Sequence, residues 1–268
     1  MAYQSEHAEL LALCTRAARA AAAVIHAATP GAHSLDWHSK GPTDFVTEVD
    51  LRAEAEIIEI FSRELPEAAI LAEETATEVP HERLAKGLLV VADPLDGTTN
   101  FLHGFPAYAV SIAVLKDGEP VAAVVHNVPG NEIFTAIAGG GAQANGRPCK
   151  VSTLSDPQRA LIGTGFPFKD PAQIAPYQAQ MTRVMQGVAG VRRPGAASLD
   201  LASVASGRFD AFWENILAPW DFAAGMLLVR EAGGIATDIH GKHLTATAPS
   251  SVLVGGRAMY AWLHNMLH

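Results

Sequence analysis

Residues 90–101 read Val-Val-Ala-Asp-Pro-Leu-Asp-Gly-Thr-Thr-Asn-Phe. An apolar run stops at two aspartates three residues apart, Asp93 and Asp96, with Pro94 between them and Gly97, Thr98 and Thr99 behind them. A turn has use for one carboxylate of this kind, not for two together with two hydroxyls. Pro94 fixes its own φ and stiffens the step between the acids. Asp93 and Asp96 can then converge on one hard cation, with the Leu95 carbonyl as a further oxygen, the ligand type that Mg²⁺ or Mn²⁺ prefers. Gly97 lets a substrate come close to the backbone. The amides of Gly97, Thr98 and Thr99 at a helix start suit an anion. One stretch thus supplies cation ligands and anion donors, which points to a metal-bound phosphate.

Two more acidic segments share this placement. Glu73 and Glu74 follow the short apolar run Ala69 to Ala72, and Asp221 opens a helix after Pro219-Trp220. Ligands in mixed folds gather at strand ends and helix starts. Each acid also has a purely structural use: Asp221 as a helix N-terminal charge, Asp96 as a turn or cap, Glu73 and Glu74 as a solvated loop, and Thr47 with Asp50 as a capping box. Charge favours the chemical use. Glu73, Asp93, Asp96 and Asp221 would repel one another at ~4 Å spacing; two Mg²⁺ ions neutralise them, and a third leaves a surplus for a phosphate. Paired metals about 4 Å apart can activate a water and stabilise a leaving oxygen. Thr98, held by Asp50, is the candidate to orient that water.

The elements that must position these residues mix helices and strands. Helical spacing covers Glu6 to Ala28, ended by Pro30-Gly31, and Leu51 to Glu64, where Ile57, Ile58 and Phe61 recur before Pro66. Ala69 to Ala72 and Leu88 to Ala92 read as buried strands. Tyr108 to Leu115, Val121 to Asn127 and Glu132 to Ala138 form an antiparallel meander, turned at Lys116–Glu119 and Pro129–Asn131. Beyond them come strands at Leu161 to Thr164, Phe209 to Trp213 and Ser251 to Val254. Helices fall at Gln173 to Met185, Ala197 to Ser206, Trp220 to Ala232 and Ala258 to Leu267. This order predicts a mixed α/β (α+β) protein of stacked layers. Residues 1–268 are expected to form one unit, with lobes 1–150 and 151–268 meeting near residues 145–155.

The bulk composition is that of a packed globular chain: 268 residues, 49% hydrophobic and 18% charged. The formal net charge of −9 argues against direct nucleic-acid binding and against an anionic membrane surface. Glu6, Glu9, Arg16 and Arg19 interrupt the first apolar stretch, so neither a signal peptide nor a membrane span is expected. Cys14 and Cys149 are the only cysteines and make neither a CxxC nor a disulfide framework, so a cytoplasmic setting is expected. The eleven histidines contain no HExxH; His103, His126 and His240 read as structural or surface residues.

Together these motifs resemble the inositol monophosphatase family, within the larger group of lithium-sensitive, Mg²⁺-dependent phosphatases. The carriers are Lys40-Gly-Pro-Thr-Asp44-Phe-Val-Thr47-Glu-Val-Asp50, Ala72-Glu73-Glu74, Asp93-Pro-Leu-Asp96-Gly-Thr98-Thr-Asn-Phe101, Gly195-Ala-Ala-Ser-Leu-Asp200 and Pro219-Trp220-Asp221-Phe-Ala-Ala-Gly225. The resemblance implies a layered αβαβα sandwich and a homodimer. It implies two or three Mg²⁺ held by Glu73, Asp93, the Leu95 carbonyl, Asp96 and Asp221. Asp50 and Thr98 would orient the attacking water, with Glu73 beside them. Gly97, Thr98 and Thr99 would hold the phosphate. Gly195, Ala197 and Glu214 would contact a cyclitol, sugar or amino-alcohol; Glu74 would play a secondary part, and Lys40 would sit near the mouth. The reaction implied is hydrolysis of a phosphate monoester by a metal-activated water. Inositol 1-phosphate is the first expected substrate; histidinol phosphate, 3′-phosphoadenosine 5′-phosphate and fructose 1,6-bisphosphate are the alternatives. Some bacterial proteins of this kind also act with RNA polymerase, a regulatory reading of a different class.

Overall fold

In the computed structural model the described residues are 2–29, 37–41, 44–75, 84–168 and 170–268. Helix α1 (Ala2–Ala28) is followed by an antiparallel pair, β1 (Trp37–Gly41) and β2 (Asp44–Thr47), and by helix α2 (Glu48–Glu64). Thr47 caps α2. Its hydroxyl accepts from the amides of Val49 and Asp50, while the Asp50 carboxylate reaches back to the Thr47 amide, so the capping box expected from the sequence is present.

A seven-stranded sheet follows in sequence order: β3 (Ala69–Ala72), β4 (Leu88–Asp96), β5 (Ala109–Lys116), β6 (Glu119–Asn127), β7 (Glu132–Ile137), β8 (Gly141–Ala144) and β9 (Arg147–Pro148). Only β3 and β4 pair in parallel; β5 to β7 are the expected meander, and the antiparallel pairing continues into β8 and β9, which the sequence did not announce. The short helix α3 (Thr98–Leu102) links β4 to β5. The second sheet contains β10 (Leu161–Thr164), β11 (Gly190–Arg192), β12 (Ala211–Leu217), β13 (Ile235–Thr237) and β14 (Ser250–Gly255), in the order β11-β10-β12-β14-β13. Strand β10 is parallel to both its neighbours, and β14 is antiparallel to β12 and β13. Helices α4 (Ile174–Met185), α5 (Ala197–Ala205), α6 (Pro219–Glu231) and α7 (Arg257–Leu267) complete the described α-helices, with short 3-10 turns at Pro157–Arg159 and Pro171–Gln173.

The layers follow from which faces are apolar. On β5, Val110, Ile112 and Val114 pack with α1 and α2, whereas Ala109, Ala113 and Leu115 face α5 and α6. Both faces are covered, which is why β4 to β6 read as continuous apolar runs rather than as alternation. A second core, with Leu201, Phe212, Phe222, Leu228 and Val254, fills the space between the sheets around α5 and α6. A third, with Tyr177, Val184, Trp213 and Leu263, joins α4 and α7 to the outer face of the second sheet. Helix, sheet, helix, sheet, helix is the layered sandwich expected. Fully buried side chains such as Phe61 and Trp213 each contribute about 1.5–3 kcal/mol or more of apolar burial.

Helix α1 carries a detail the sequence analysis did not anticipate. By length and composition Ser5–Ala28 reaches what a membrane span requires, yet 44% of that window is buried within the fold. Leu10, Cys14, Ala17, Ala21 and Ile25 form the buried stripe, and the alanines that raise its mean hydropathy let α1 lie close on the sheet. Strand boundaries differ too. β4 continues past Ala92 to Asp96, and β12 runs over Ala211–Leu217 rather than residues 209–213. Strands β1, β2, β11 and β13 were not expected; each is three to five residues long, too short for a periodic signal. The helix end at Pro30-Gly31 lies outside the described residues.

Candidate active site

The site begins with an irregularity in β4. Asp93 lies opposite Ser111 and Asp96 opposite Ala109, so three steps on β4 match two on β5. In a regular strand, residues three apart point to opposite faces. The extra residue is a bulge, and it returns Asp96 to the face of Asp93. Leu95 is left to pack in the α1–α2 core. Pro94 occupies the bulge, where a missing N–H is tolerated. The Leu95 amide donates to Asp93 Oδ1 at 2.9 Å.

The other acids are brought in by backbone pairing. The Glu73 amide donates to the Ala92 carbonyl at 3.1 Å, extending the parallel β3–β4 pairing by one step and setting Glu73 beside Asp93. The Glu74 amide donates to Glu54 Oε2 at 2.8 Å, and Glu54 is buried in α2. Asp221, third residue of α6, reaches back to the Ala218 amide at 2.7 Å, so its helix-terminal role is real as well. Ser111 Oγ donates to the Trp220 carbonyl at 3.1 Å, which ties the start of α6 to the strand position opposite Asp93.

These placements bring Glu73, Asp93, Asp96 and Asp221 within electrostatic reach of one another. Burial, and after it the charges of Glu73, Asp96 and Asp221, hold the Asp93 carboxyl well above the usual carboxylate range. Burial pushes Asp96 up to about 6; the Ser198 donors oppose the rise and Glu73 adds to it. A donor set made only of oxygens, with a surplus of negative charge, fits a hard divalent cation. Among the described residues no three Asp, Glu, His or Cys side chains already meet in ligand geometry. Asp93, Asp96 and Asp221 each turn one carboxylate oxygen to an N–H.

Thr98 and Asp50 meet beside this cluster. Thr98 Oγ1 lies 2.9 Å from Asp50 Oδ1 and 3.1 Å from the Leu95 carbonyl. Asp50 Oδ2 accepts from the Thr47 amide at 2.9 Å and the Thr47 hydroxyl at 2.5 Å. Burial raises the Asp50 pKa, and the hydroxyls of Thr47 and Thr98 oppose the rise. Gly97 adopts φ +92°, and a Cβ there would sit 2.8 Å from the Ala107 carbonyl, so a glycine is required between Asp96 and Thr98. Thr99 is exposed on α3.

On the far side lies the start of α5. Ser198 donates to Asp96 Oδ2 through both its amide, at 2.8 Å, and its hydroxyl, at 2.5 Å. Gly195 and Ala197 precede it. Asn100 Nδ2 ties this segment to α3, donating to the Ala107 carbonyl at 2.7 Å and the Pro194 carbonyl at 2.9 Å. Glu214, on β12, packs against Gly165 so closely that a Cβ at residue 165 would overlap its carboxylate. Asp200, buried on α5, is held well above the usual range by burial and then by the charges of Asp96 and Glu214, with Arg193 opposing. Lys40 lies in β1, and its side chain lies outside the described residues. The sequence reading missed Glu54, Ser198, Asp200 and Asn100. Glu54 carried a positional signal, falling four residues after Asp50 on the helix face that Ile57 and Phe61 share; Asn100, Ser198 and Asp200 stood inside motifs that carry the resemblance, with no role assigned.

Two surface clefts, of about 490 and 560 Å³, lie around Cys149 and Lys150 and touch none of the four acids. The chemistry therefore locates the candidate site, not the depth of a cleft. Comparison with known proteins agrees in kind. The family described as Inositol monophosphatase family matches residues 6–268. An inositol-1-monophosphatase of Rhizobium meliloti is 48% identical over 208 residues, covering 78% of this chain and 77% of that protein. A Nus factor SuhB of Salmonella typhimurium is 42% identical over 257 residues, covering 96% and 95%. The crystal structure of an extragenic suppressor protein suhB from Bartonella henselae superposes with a TM-score of 0.89 at 37% identity, covering 97% of this chain and 98% of that one. A match to nearly the whole chain, by sequence and by fold, makes the protein a member of the inositol monophosphatase family.

Proposed function

We propose that the protein is a Mg²⁺-dependent phosphate monoester hydrolase acting on a small phosphorylated alcohol, inositol 1-phosphate first. The observation that carries this reading is the meeting of Glu73, Asp93, Asp96 and Asp221 beside the Thr98–Asp50 pair. Glu73, Asp93, the Leu95 carbonyl, Asp96 and Asp221 would hold the cations, Mg²⁺ or Mn²⁺. When bound, these supply an acidified water and charge for the phosphate oxygens. Asp50 is pinned by Thr47 and takes the Thr98 hydroxyl proton in a hydrogen bond; the Thr98 oxygen is then oriented to accept one from the attacking water. The amides at Gly97, Thr98 and Thr99 face the phosphate. Gly195, Ala197 and Glu214 line the alcohol side, where Glu214 accepts a substrate hydroxyl. Water adds to phosphorus as the ester P–O bond breaks, and inorganic phosphate and the alcohol leave.

The test is phosphate release with Mg²⁺ and with a chelator, across inositol 1-phosphate, histidinol phosphate, 3′-phosphoadenosine 5′-phosphate and fructose 1,6-bisphosphate. Chelator-sensitive turnover favouring inositol 1-phosphate is expected. Equal turnover with chelator present refutes the metal assignment, and preference for another ester moves the substrate assignment alone.

A second reading rests on the SuhB relative, which is named a Nus factor and matches nearly the full chain. On that reading the protein binds the transcription machinery, through protein rather than nucleic acid given its charge of −9. Co-purification from source cells tests it: a stable RNA polymerase partner supports it, and its absence removes it.

A further inference from the structure

Helix α5 begins without a cap of its own. Its N-cap position is Ala196, and no side chain there reaches the first amides. Among the described residues, the group that meets them is Asp96, 102 positions earlier in the chain, whose Oδ2 accepts the Ser198 amide at 2.8 Å and the Ser198 hydroxyl at 2.5 Å. Ser198 is fully buried. An apolar residue at the N-cap leaves first-turn N–H groups in need of a partner, and a carboxylate from elsewhere also gains from the positive end of the helix. Asp96 thus serves two elements. It closes β4 after the bulge, and it caps α5, the helix whose start carries Gly195 and Ala197.

We infer that Ser198 is a positioning residue for cation binding. By holding Oδ2 from two sides, it fixes the plane of the Asp96 carboxylate, so that the ligand is set before a divalent cation arrives. This rests on the proposed function, because it takes Asp96 as a ligand. The warrant is geometric: two donors on one atom of one rotamer, inside a packed core, leave the carboxylate little freedom to turn. Groups that orient a metal ligand through a hydrogen bond typically change metal affinity 10–100-fold when removed. The amide donor survives any substitution of the side chain, so the lower end of that range applies here.

The experiment is calorimetric titration of the metal-free chain with Mn²⁺, without substrate, for wild type, Ser198→Ala, Ser198→Cys and Ser198→Thr. Thermal melting of the metal-free proteins checks that each is folded. About tenfold weaker Mn²⁺ binding is expected for Ser198→Ala and for Ser198→Cys, which fills the serine volume but donates weakly. Ser198→Thr, which keeps the hydroxyl, should stay near wild type. In turnover, Ser198→Ala should need about tenfold more Mg²⁺ for half-maximal rate, with kcat at saturating Mg²⁺ little changed. Wild-type affinity in Ser198→Cys would make the residue a space-filler and overturn the inference. So would unchanged affinity in Ser198→Ala, while a wild type that binds Mn²⁺ and hydrolyses its substrate would leave the proposed function standing. A folded wild type that binds no Mn²⁺ would overturn both.

Discussion

Gly97→Ala is the perturbation whose cost follows most directly from the structure. Gly97 has φ +92°, a conformation that disfavours any Cβ, and holding alanine near the left-handed region costs about 1–2 kcal/mol. The new methyl would also lie 2.8 Å from the Ala107 carbonyl and 3.3 Å from Ala196 Cβ. Backbone cannot swing aside as a flexible side chain can, so overpacking adds about 1–3 kcal/mol. Gly118, in the β5–β6 turn, supplies the control. Its φ is +85°, and a Cβ there meets nothing within 4 Å. Gly118→Ala should carry the conformational cost alone, and the gain from stiffening the unfolded chain is shared by both variants and cancels. The difference between them is the carbonyl contact, about 1–3 kcal/mol. For a chain of this size each kcal/mol moves Tm by about 2–4 °C, so Gly97→Ala should melt roughly 2–12 °C below Gly118→Ala. Turnover should fall only in Gly97→Ala, because relief of the contact moves Thr98 away from Asp50. Equal melting temperatures for the two variants would refute the close approach of residue 97 to Ala107, and with it the reason for a glycine in this turn.

Asp93→Asn should leave a folded protein whose turnover falls by more than the roughly 10–100-fold typical of losing an outer hydrogen bond; retained rate at saturating Mg²⁺ would remove Asp93 from the ligand set. Glu54→Ala should cost about 1.5–3 kcal/mol through loss of the charged acceptor for the Glu74 amide and should raise the Mg²⁺ requirement, whereas Glu54→Gln keeps an acceptor and should cost less; melting curves and Mg²⁺ titrations of the two variants check this. His126 gives a pH dependence. Burial lowers its pKa; His26 and Arg19 on α1 lower it further, while the Ala18 carbonyl and the Asn131 side chain oppose. A depressed pKa means that the unfolded chain takes the proton more readily, so this contribution to stability is complete above about pH 6.5 and is lost as pH falls below it. Denaturant melts at pH 7.5 and 5.5 should show that loss in wild type and a smaller one in His126→Leu; an equal loss in both would show that another group titrates.

Much of the fold was legible because burial on both faces writes strands as apolar runs, as in Leu88 to Ala92 and Tyr108 to Leu115, and because Pro66 and Gly207 mark the ends of helices. Strand β12 was shifted because Glu214 and Asn215 read as loop; polar residues continue that strand where it borders the candidate site. The acids at residues 73, 93, 96 and 221 could be read because each follows an apolar run or opens a helix, a position that sequence reveals. Ser198 gains its use from Asp96, a partner distant in sequence that nothing local to a helical serine announces; Glu54 shares a helix face with Asp50, but its partner, the Glu74 amide, is as distant.

The bulge in β4 imposes a rule of parity on this segment. Side chains alternate along a strand, so the number of residues between Asp93 and Asp96 decides which side of the sheet each acid serves. Removing one residue from Pro94-Leu95 would restore smooth pairing and would still place both acids on one face, but removing Leu95 would take it out of the α1–α2 packing. Adding one while the bulge still absorbs a single residue would leave three regular steps between the acids and send the second toward α1 and α2, into a layer that offers it Ile57, Phe61 and Val110. Substitutions in this loop can be graded in effect; changes in its length cannot. A chain that carries Asp-Pro-Leu-Asp with this spacing keeps the geometry, and one that gains a residue there keeps both acids on one side only if the bulge widens or disappears.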